Sequence, residues 1–280
     1  MISLTLTILF TVSLFIFFKE FEKRNINTHQ AITFNYLTAS IIAILLYGNP
    51  ICLTDIVNTS WIYPTIALGI FFVVMFNIMA KTTQQLGISI ASIASKMSLV
   101  IPVIAALLFQ RNINLSIYNY IGILLALIAI FLTFKKKQKT QKSLKIAVFL
   151  FFGAGILDSF LDYIREKHLE SINDFNLFII LIFFIAFFTG FVIIIFNRNK
   201  ISFKNIIGGV LLGIPNYFSI YFVLLSLESL GGAVVFPVLN IGVVLISTII
   251  SYLVYKENLN KENWFGIVLA CVSIFLLLSF

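Results

Sequence analysis

Charged residues are scarce in this chain. Only 11% of its 280 residues are Asp, Glu, Lys or Arg, while 60% are hydrophobic, and the mean hydropathy is +1.07. Soluble domains carry about 25% charged and about 45–50% apolar residues. Because so few charges cannot cover a protein with a water-compatible surface, the composition excludes a soluble domain. It predicts an all-α integral membrane protein in contact with membrane lipid.

Cysteine and histidine are nearly absent, with two of each. Cys52 and Cys271 show neither metal-ligand spacing nor a disulfide framework. His29 and His168 fall in predicted loops, without a His-Glu-x-x-His pair, and no Gly-x-x-x-x-Gly-Lys-Ser/Thr motif for nucleotide phosphates is present. We therefore predict no metal, no cofactor and no enzymatic activity.

Basic residues outnumber acidic ones, 19 to 11, which gives a net charge of +8. In a soluble protein this charge would suggest a nucleic-acid partner, but here the basic residues fall mainly between the apolar runs. That distribution reports membrane orientation, so we expect no nucleic acid. The positive-inside rule places the connections after odd-numbered runs in the cytoplasm and both termini outside.

Ten apolar runs can be read as membrane spans, given about 20 residues for each crossing. They cover roughly residues 2–18, 31–47, 62–80, 87–109, 117–134, 144–164, 175–196, 206–226, 232–255 and 264–280. The longest polar stretch, Lys135 to Lys145, lies halfway along the chain. We expect it to separate two halves of five spans each.

The two halves are similar when the chain is shifted against itself by 144 residues. Three glycine pairs then coincide: Gly69 with Gly213, Gly87 with Gly231, and Gly122 with Gly266. The shift predicts two five-helix repeats, residues 1–138 and 139–280. Because each repeat has an odd number of spans, the second enters the bilayer from the opposite side. Such inverted repeats have two related conformations, one open to each side of the membrane, with a substrate site near the midplane.

Two five-span halves with short loops resemble the drug/metabolite transporter superfamily, specifically its EamA-type ten-span members. The likeness is clearest where Leu86-Gly87 and Leu230-Gly231 open spans rich in small residues. Three family dipeptides are changed here: Gly-Glu to Lys256-Glu257, Glu-Pro to Phe236-Pro237, and Arg-Phe to Asn35-Tyr36. The resemblance implies a multi-pass transporter of the bacterial cytoplasmic membrane. It also implies that both termini lie inside, against the charge distribution, so the orientation stays open.

Lys96 lies inside the fourth run, about ten residues from one end and about thirteen from the other. At 1.5 Å per residue its Cα is roughly 15 Å from either interface, too deep for the side chain to reach water along the helix. A lysine at this depth costs on the order of 2.5–3.5 kcal/mol, so it must face a wet cavity or a partner. We predict that Lys96 binds the substrate, with a structural lysine between helices as the alternative.

Gln85, Ser89, Ser92 and Lys96 follow one another at intervals of 4, 3 and 4, which places them on one helix face. We predict that this face lines the substrate path and that Ser92 contacts the substrate. The alternative is that the serines only let neighbouring helices approach closely.

Asp158 is the candidate counter-charge for Lys96, since it lies about fourteen residues into the sixth run. A buried carboxylate there suits a substrate ammonium group or a proton. Asp162 follows one turn later, near Arg165, and we expect it to be structural.

Polar side chains inside other predicted spans complete the candidate site. They are Asn35, Asn77, Asn216, Asn240 and Tyr217. An asparagine in a span often joins two helices, which is the alternative for each of them. Asn216 and Asn240 differ because Pro215 and Pro237 precede them, and proline frees a backbone carbonyl that a substrate site can use.

These observations predict a secondary active transporter of small organic metabolites, amino acids or related compounds, that exports its substrate by alternating access. Lys96 favours a carboxylate-bearing substrate, and a zwitterion would satisfy both Lys96 and Asp158. The alternatives are a non-transporting membrane scaffold and an intramembrane enzyme. The coupling partner, a proton or a counter-substrate, and the oligomeric state, monomer or homodimer, are left open.

Overall fold

The computed structural model describes residues 2–50, 59–101, 116–134, 141–169, 172–198, 200–230 and 232–279. Within these ranges the chain forms ten α-helices and no strand, which confirms the all-α prediction. The helices are α1 (Ile2–Lys23), α2 (Thr28–Tyr47), α3 (Ile62–Leu86), α4 (Ile88–Met97), α5 (Ile117–Phe134), α6 (Gln141–His168), α7 (Ile172–Phe196), α8 (Phe203–Leu230), α9 (Gly232–Leu253) and α10 (Lys261–Ser279).

Among the described residues, seven helical stretches are long and apolar enough to cross a membrane. They are Ile2–Lys23, Thr28–Tyr47, Ile62–Leu86, Leu144–Leu161, Asp174–Phe196, Phe203–Leu227 and Val234–Leu253. The fifth and tenth predicted runs correspond to α5 and α10. The fourth run is interrupted, because α4 ends at Met97 after 10 residues, a turn at Ser98 and Leu99 follows it, and Val100 and Ile101 are again helical. Pro102 and the rest of that run lie outside the described residues.

Capping residues explain where two of these helices begin and end. The Asn27 side chain accepts a hydrogen bond from the backbone N–H of Gln30 at 3.1 Å, which starts α2. This helix ends at Gly48, whose φ of +70° is a left-handed conformation that favours glycine. At the start of α10, the side chains of Asn260 and Asn263 each accept from the other residue's backbone N–H, at 2.7 and 3.1 Å.

The chain divides into two compact units. Unit 1 comprises Met1–Lys19, Ile78–Ile156 and Phe218–Phe280, and unit 2 comprises Glu20–Asn77 and Leu157–Tyr217. Each unit therefore combines residues from both predicted repeats. The repeat boundary at 138 and 139 lies outside the described residues and stays a prediction.

In unit 1, α10 packs along α5. A Cβ on Gly122 would meet the Leu277 side chain at 2.9 Å, and a Cβ on Gly266 would meet Thr133 Oγ1 at 2.6 Å. These contacts are reciprocal, because Gly266 follows Gly122 by 144 positions and Leu277 follows Thr133 by the same number. The reciprocity also means that the two helices run antiparallel, as helices related by an inverted repeat must.

In unit 2, the corresponding pair is α2 and α7. The rings of Tyr36 and Phe183 stack with centroids 6.1 Å apart. A Cβ on Gly69 of α3 would meet Ile185 of α7 at 2.6 Å, and a Cβ on Gly213 of α8 would meet Thr38 of α2 at 2.6 Å. The two glycines are 144 positions apart, and their partners Thr38 and Ile185 are 147 apart. The same packing therefore occurs twice, with an offset that is three residues longer for α2 and α7 than for α3 and α8.

Candidate functional site

Lys96 lies in the last turn of α4, one residue before the helix ends at Met97. Its side chain is half-buried. The carbonyl groups at a helix C-terminus carry partial negative charge, which stabilises the ammonium group. The sequence placed Lys96 inside a long span, and the structure places it just before a turn at Ser98 and Leu99, after which Val100 and Ile101 are again helical. Interrupted helices are a recurring feature of substrate sites in secondary transporters.

The predicted polar face of this helix is only partly present. Gln85 belongs to α3, because Gly87 separates the two helices with a φ of +104°. The prediction that Gln85 shares a helix face with Lys96 is therefore wrong. Glycine is required at this junction, since residues with a Cβ rarely adopt this backbone conformation.

The two serines on α4 contact α9 within unit 1. Ser89 Oγ lies 3.2 Å from Thr248 Oγ1, and Ser247 Oγ donates to Ser92 Oγ at 2.6 Å. Ser92 Oγ in turn donates to the Ser89 carbonyl at 2.9 Å. Both serines are fully buried. These hydroxyl groups join α4 to α9, and contact between Ser92 and a substrate stays a prediction.

Asp158 lies on α6, and its side chain is exposed, so the expectation of a buried carboxylate is wrong. The depth of a residue along an apolar run does not determine which face of the helix is covered. Lys96 belongs to unit 1 and Asp158 to unit 2. The Asp162 side chain lies outside the described part of the chain.

Asn35 is the most unusual polar residue of unit 2. It is fully buried, and neither atom of its carboxamide has a hydrogen-bond partner among the described residues. Buried polar groups are nearly always paired, because an unsatisfied one costs about 1–3 kcal/mol. A fully buried carboxamide without a partner is what a site for a polar ligand group requires.

Two glycines of α8 bring that helix close to α2 around Asn35. A Cβ on Gly209 would lie 2.5 Å from the Ala31 carbonyl, and one on Gly213 would lie 2.7 Å from the Asn35 carbonyl. The four-residue spacing puts both glycines on one face of α8. The backbone around Asn35 is therefore tightly held.

Asn77 contacts a histidine that the sequence analysis did not single out. Its Oδ1 lies 3.3 Å from His29 Nδ1, while its Nδ2 donates to the Val73 carbonyl at 2.8 Å. His29 is the second residue of α2, so its assignment to a loop was wrong. The Asn27 cap was the sequence signal that could have placed His29 inside a helix.

The remaining predicted residues are nearly or fully buried on two helices that contain proline. Asn216 and Tyr217 follow Pro215 in α8 and belong to unit 2. Asn240 lies one turn after Pro237 in α9 and belongs to unit 1. Unit 1 thus holds Lys96, Ser92 and Asn240, and unit 2 holds Asp158, Asn35, Asn77, Asn216 and Tyr217.

Comparison with known proteins gives a family and a full-length relative. Residues 145–279 match the EamA-like transporter family. A protein of Haemophilus influenzae (strain ATCC 51907 / DSM 11121 / KW20 / Rd), described as an uncharacterized protein, is 31% identical over 287 aligned positions. The alignment covers 98% of this chain and 97% of that relative.

Proposed function

Because this chain belongs to the EamA-like transporter family, within the drug/metabolite transporter superfamily, we propose that it is a secondary active transporter that exports a small organic metabolite by alternating access. It is a multi-pass membrane protein, and we place it in the bacterial cytoplasmic membrane. The family consists of transporters of small molecules, which fits the absence of enzymatic activity that the sequence predicted.

Lys96 at the end of α4 is the observation that carries the proposal. A half-buried lysine within membrane-embedded helices requires an anionic or strongly polar partner. The end of a short helix adds backbone carbonyls that a continuous helix would keep bonded to itself. We propose that Lys96 binds the carboxylate of the substrate.

Amino acids or related compounds are the substrate class that we propose. In unit 1, Lys96 would bind a carboxylate, and in unit 2, Asp158 is a separate candidate for an ammonium group. The carboxamide of Asn35 offers one donor and one acceptor edge to a further polar group of the ligand. We propose Asn77, Asn216, Asn240, Ser92 and Tyr217 as further substrate contacts.

We propose that transport is driven by a gradient or by exchange, since the sequence contains no nucleotide-binding motif. We propose either a coupled proton or exchange against a counter-substrate.

Counterflow tests the proposed function. Purified protein in proteoliposomes is loaded with a mixed pool of amino acids and related metabolites, and exchange is read by mass spectrometry. Lys96→Met is reconstituted in parallel with Lys81→Met, which removes an exposed lysine of α3 and matches the change in charge. We expect one chemical class to exchange in the wild type and in Lys81→Met, and at least tenfold less in Lys96→Met. Exchange by Lys96→Met at the rate of the control would overturn the proposed role of Lys96.

A non-transporting scaffold is the competing class. It predicts that no member of the pool exchanges although the protein is folded and inserted. It also predicts that Lys96 and Asp158 tolerate apolar replacement.

A further inference from the structure

The junction between α3 and α4 is held by two charged residues from distant parts of the sequence. Lys19 Nζ donates to the Gln84 carbonyl at 3.0 Å, in the last turn of α3. Glu257 Oε1 accepts from the backbone N–H of Ile88, the first residue of α4, at 2.9 Å. All four residues belong to unit 1.

Each charge has the sign that its helix end requires. The C-terminal carbonyls of α3 carry partial negative charge, and the N-terminal N–H groups of α4 carry partial positive charge. A cation therefore stabilises the end of α3, and an anion stabilises the start of α4. Gly87, between them, provides no capping side chain of its own.

The carboxylate of Glu257 is itself fixed in position. Its Oε2 accepts a hydrogen bond from Ser251 Oγ, and its backbone N–H donates to the Ser251 carbonyl at 3.0 Å. Lys256 turns the chain toward α4 by adopting a φ of +52°. This left-handed conformation favours glycine over a residue with a Cβ.

Gly87 is also needed to admit the carboxylate. A Cβ at this position would overlap the carboxylate of Glu257. The junction therefore combines a left-handed glycine, a cation on one helix end and an anion on the other.

A helix of 10 residues needs such support, since isolated helices shorter than about 12–15 residues are marginally stable. Glu257 holds the N-terminus of α4, and Lys96 lies in the last turn at its other end. We propose that Lys19 and Glu257 are positioning residues that clamp the α3–α4 junction and thereby hold Lys96 in place. The clamp is inferred from these contacts alone. Only its effect on substrate binding rests on the proposed function.

Two readouts that do not need a substrate test the clamp. The first is hydrogen exchange of the Ile88–Met97 amides in nanodiscs. The second is the rate at which a charged thiol reagent labels Lys96→Cys, in a chain whose two native cysteines are replaced by serine. The variants are Lys19→Met, Glu257→Gln and Glu257→Ala.

Matched controls remove exposed charges close by. Lys23→Met breaks a 3.6 Å ion pair with Glu20, and Glu262→Gln removes an exposed carboxylate in the first turn of α10. We expect about tenfold faster exchange in α4, and a change in labelling of similar size, for Lys19→Met and Glu257→Ala. We expect a smaller effect for Glu257→Gln and none for the controls. Ser251→Ala, which removes one hydrogen bond to the carboxylate, supplies a mild variant if the others fail to fold.

Charge reversal separates the clamp from a simple attraction between the two residues. Each side chain faces a helix end of fixed sign. The double variant Lys19→Glu with Glu257→Lys should therefore change the labelling rate of Lys96→Cys at least as much as either single reversal does. Rescue by the double reversal, or labelling that does not differ from the controls, would overturn the clamp.

Counterflow on Lys19→Met and Glu257→Ala, in chains that keep Lys96, distinguishes this proposal from the proposed function. If labelling changes and the KM of the exchanging compound rises, both stand. If labelling changes and KM does not, the clamp stands and the assignment of Lys96 to the substrate fails.

Discussion

Unit 1 and unit 2 each bury an asparagine completely, but they treat it in opposite ways. In unit 1, Asn263 Nδ2 donates to the carbonyls of Leu132 and Thr133 at 3.3 and 2.9 Å, and its Oδ1 accepts from the Asn260 N–H. In unit 2, Asn35 has no such partner among the described residues. The first residue holds helices together, whereas the second has no described partner, which is why we propose it as a ligand contact.

The wider packing of the two units differs less than their asparagines. Glycines let helices approach in both, at Gly122 and Gly266 in unit 1 and at Gly209 and Gly213 in unit 2. Unit 1 adds the hydroxyl contact of Ser92 with Ser247, and unit 2 adds the stacked rings of Tyr36 and Phe183.

The largest effect on stability is expected where glycine lets α8 touch the backbone of α2. Gly209→Ala places a Cβ 2.5 Å from the Ala31 carbonyl, and a backbone cannot move aside as a side chain can. We expect a loss of roughly 1–3 kcal/mol of unfolding free energy. Gly208→Ala is the control, because its Cβ meets only the side chains of Ile26 and Phe21 at 3.2 and 3.3 Å. Equal thermal stability of the two variants in detergent would contradict the close approach.

Replacing the two buried asparagines, Asn263 and Asn35, should affect stability differently. Asn263→Leu should cost roughly 1–3 kcal/mol, since two carbonyls and an N–H lose their partner. Asn35→Leu should leave stability unchanged or raise it by about 1 kcal/mol, because no bond is lost and an unsatisfied amide is removed. Transport should nonetheless fall in Asn35→Leu. Chemical unfolding and counterflow on both variants check this, and a clear loss of stability in Asn35→Leu would show that its amide is bonded.

The packing of Tyr36 against Phe183 offers a test of the pseudo-symmetry. Tyr36 Oη donates to the Phe72 carbonyl at 3.0 Å, so Tyr36→Phe should cost about 0.5–1.5 kcal/mol. The repeat pairs position 183 with Tyr36 and Asn216 with Phe72. We therefore expect a hydroxyl group at position 183 to donate to the Asn216 carbonyl. Adding Phe183→Tyr should therefore restore most of the loss in thermal unfolding. A double variant less stable than Tyr36→Phe would mean that the two positions are not equivalent.

The smallest effect concerns the hydroxyl contact of unit 1. A double-mutant cycle of Ser92→Ala and Ser247→Ala should give a coupling of about 0.6 kcal/mol, the usual size for hydrogen bonds between membrane helices. Thermal unfolding of the four proteins measures it. If the coupling is zero and Ser92→Ala alone reduces counterflow, Ser92 serves the substrate and not the packing.

The sequence predicted the helical class because that class depends on local composition. The glycine register that predicts the repeat has a counterpart in the structure. Gly122 and Gly266 show this, since their offset reappears as a reciprocal contact. The sequence did not predict the end of α4 after Met97. Ser98, Leu99 and Val100 follow without a glycine, a proline or a charge that would mark a helix end.

The candidate site was less predictable than the fold. Hydropathy reports how deep a residue lies but not which side of the helix is covered, so Asp158 was expected to be buried and is exposed. The role of Glu257 was missed because its partner, Ile88, lies 169 residues away and is a backbone group. No side-chain pattern marks such a contact.

Ligand-dependent unfolding tests most directly whether Lys96 holds the substrate. The compound that exchanges in counterflow is added at 100 times its Kd, which should stabilise the wild type and Lys81→Met by about 2.7 kcal/mol. We predict that the same concentration leaves the unfolding of Lys96→Met nearly unchanged. Stabilisation of Lys96→Met equal to that of the wild type would contradict the account.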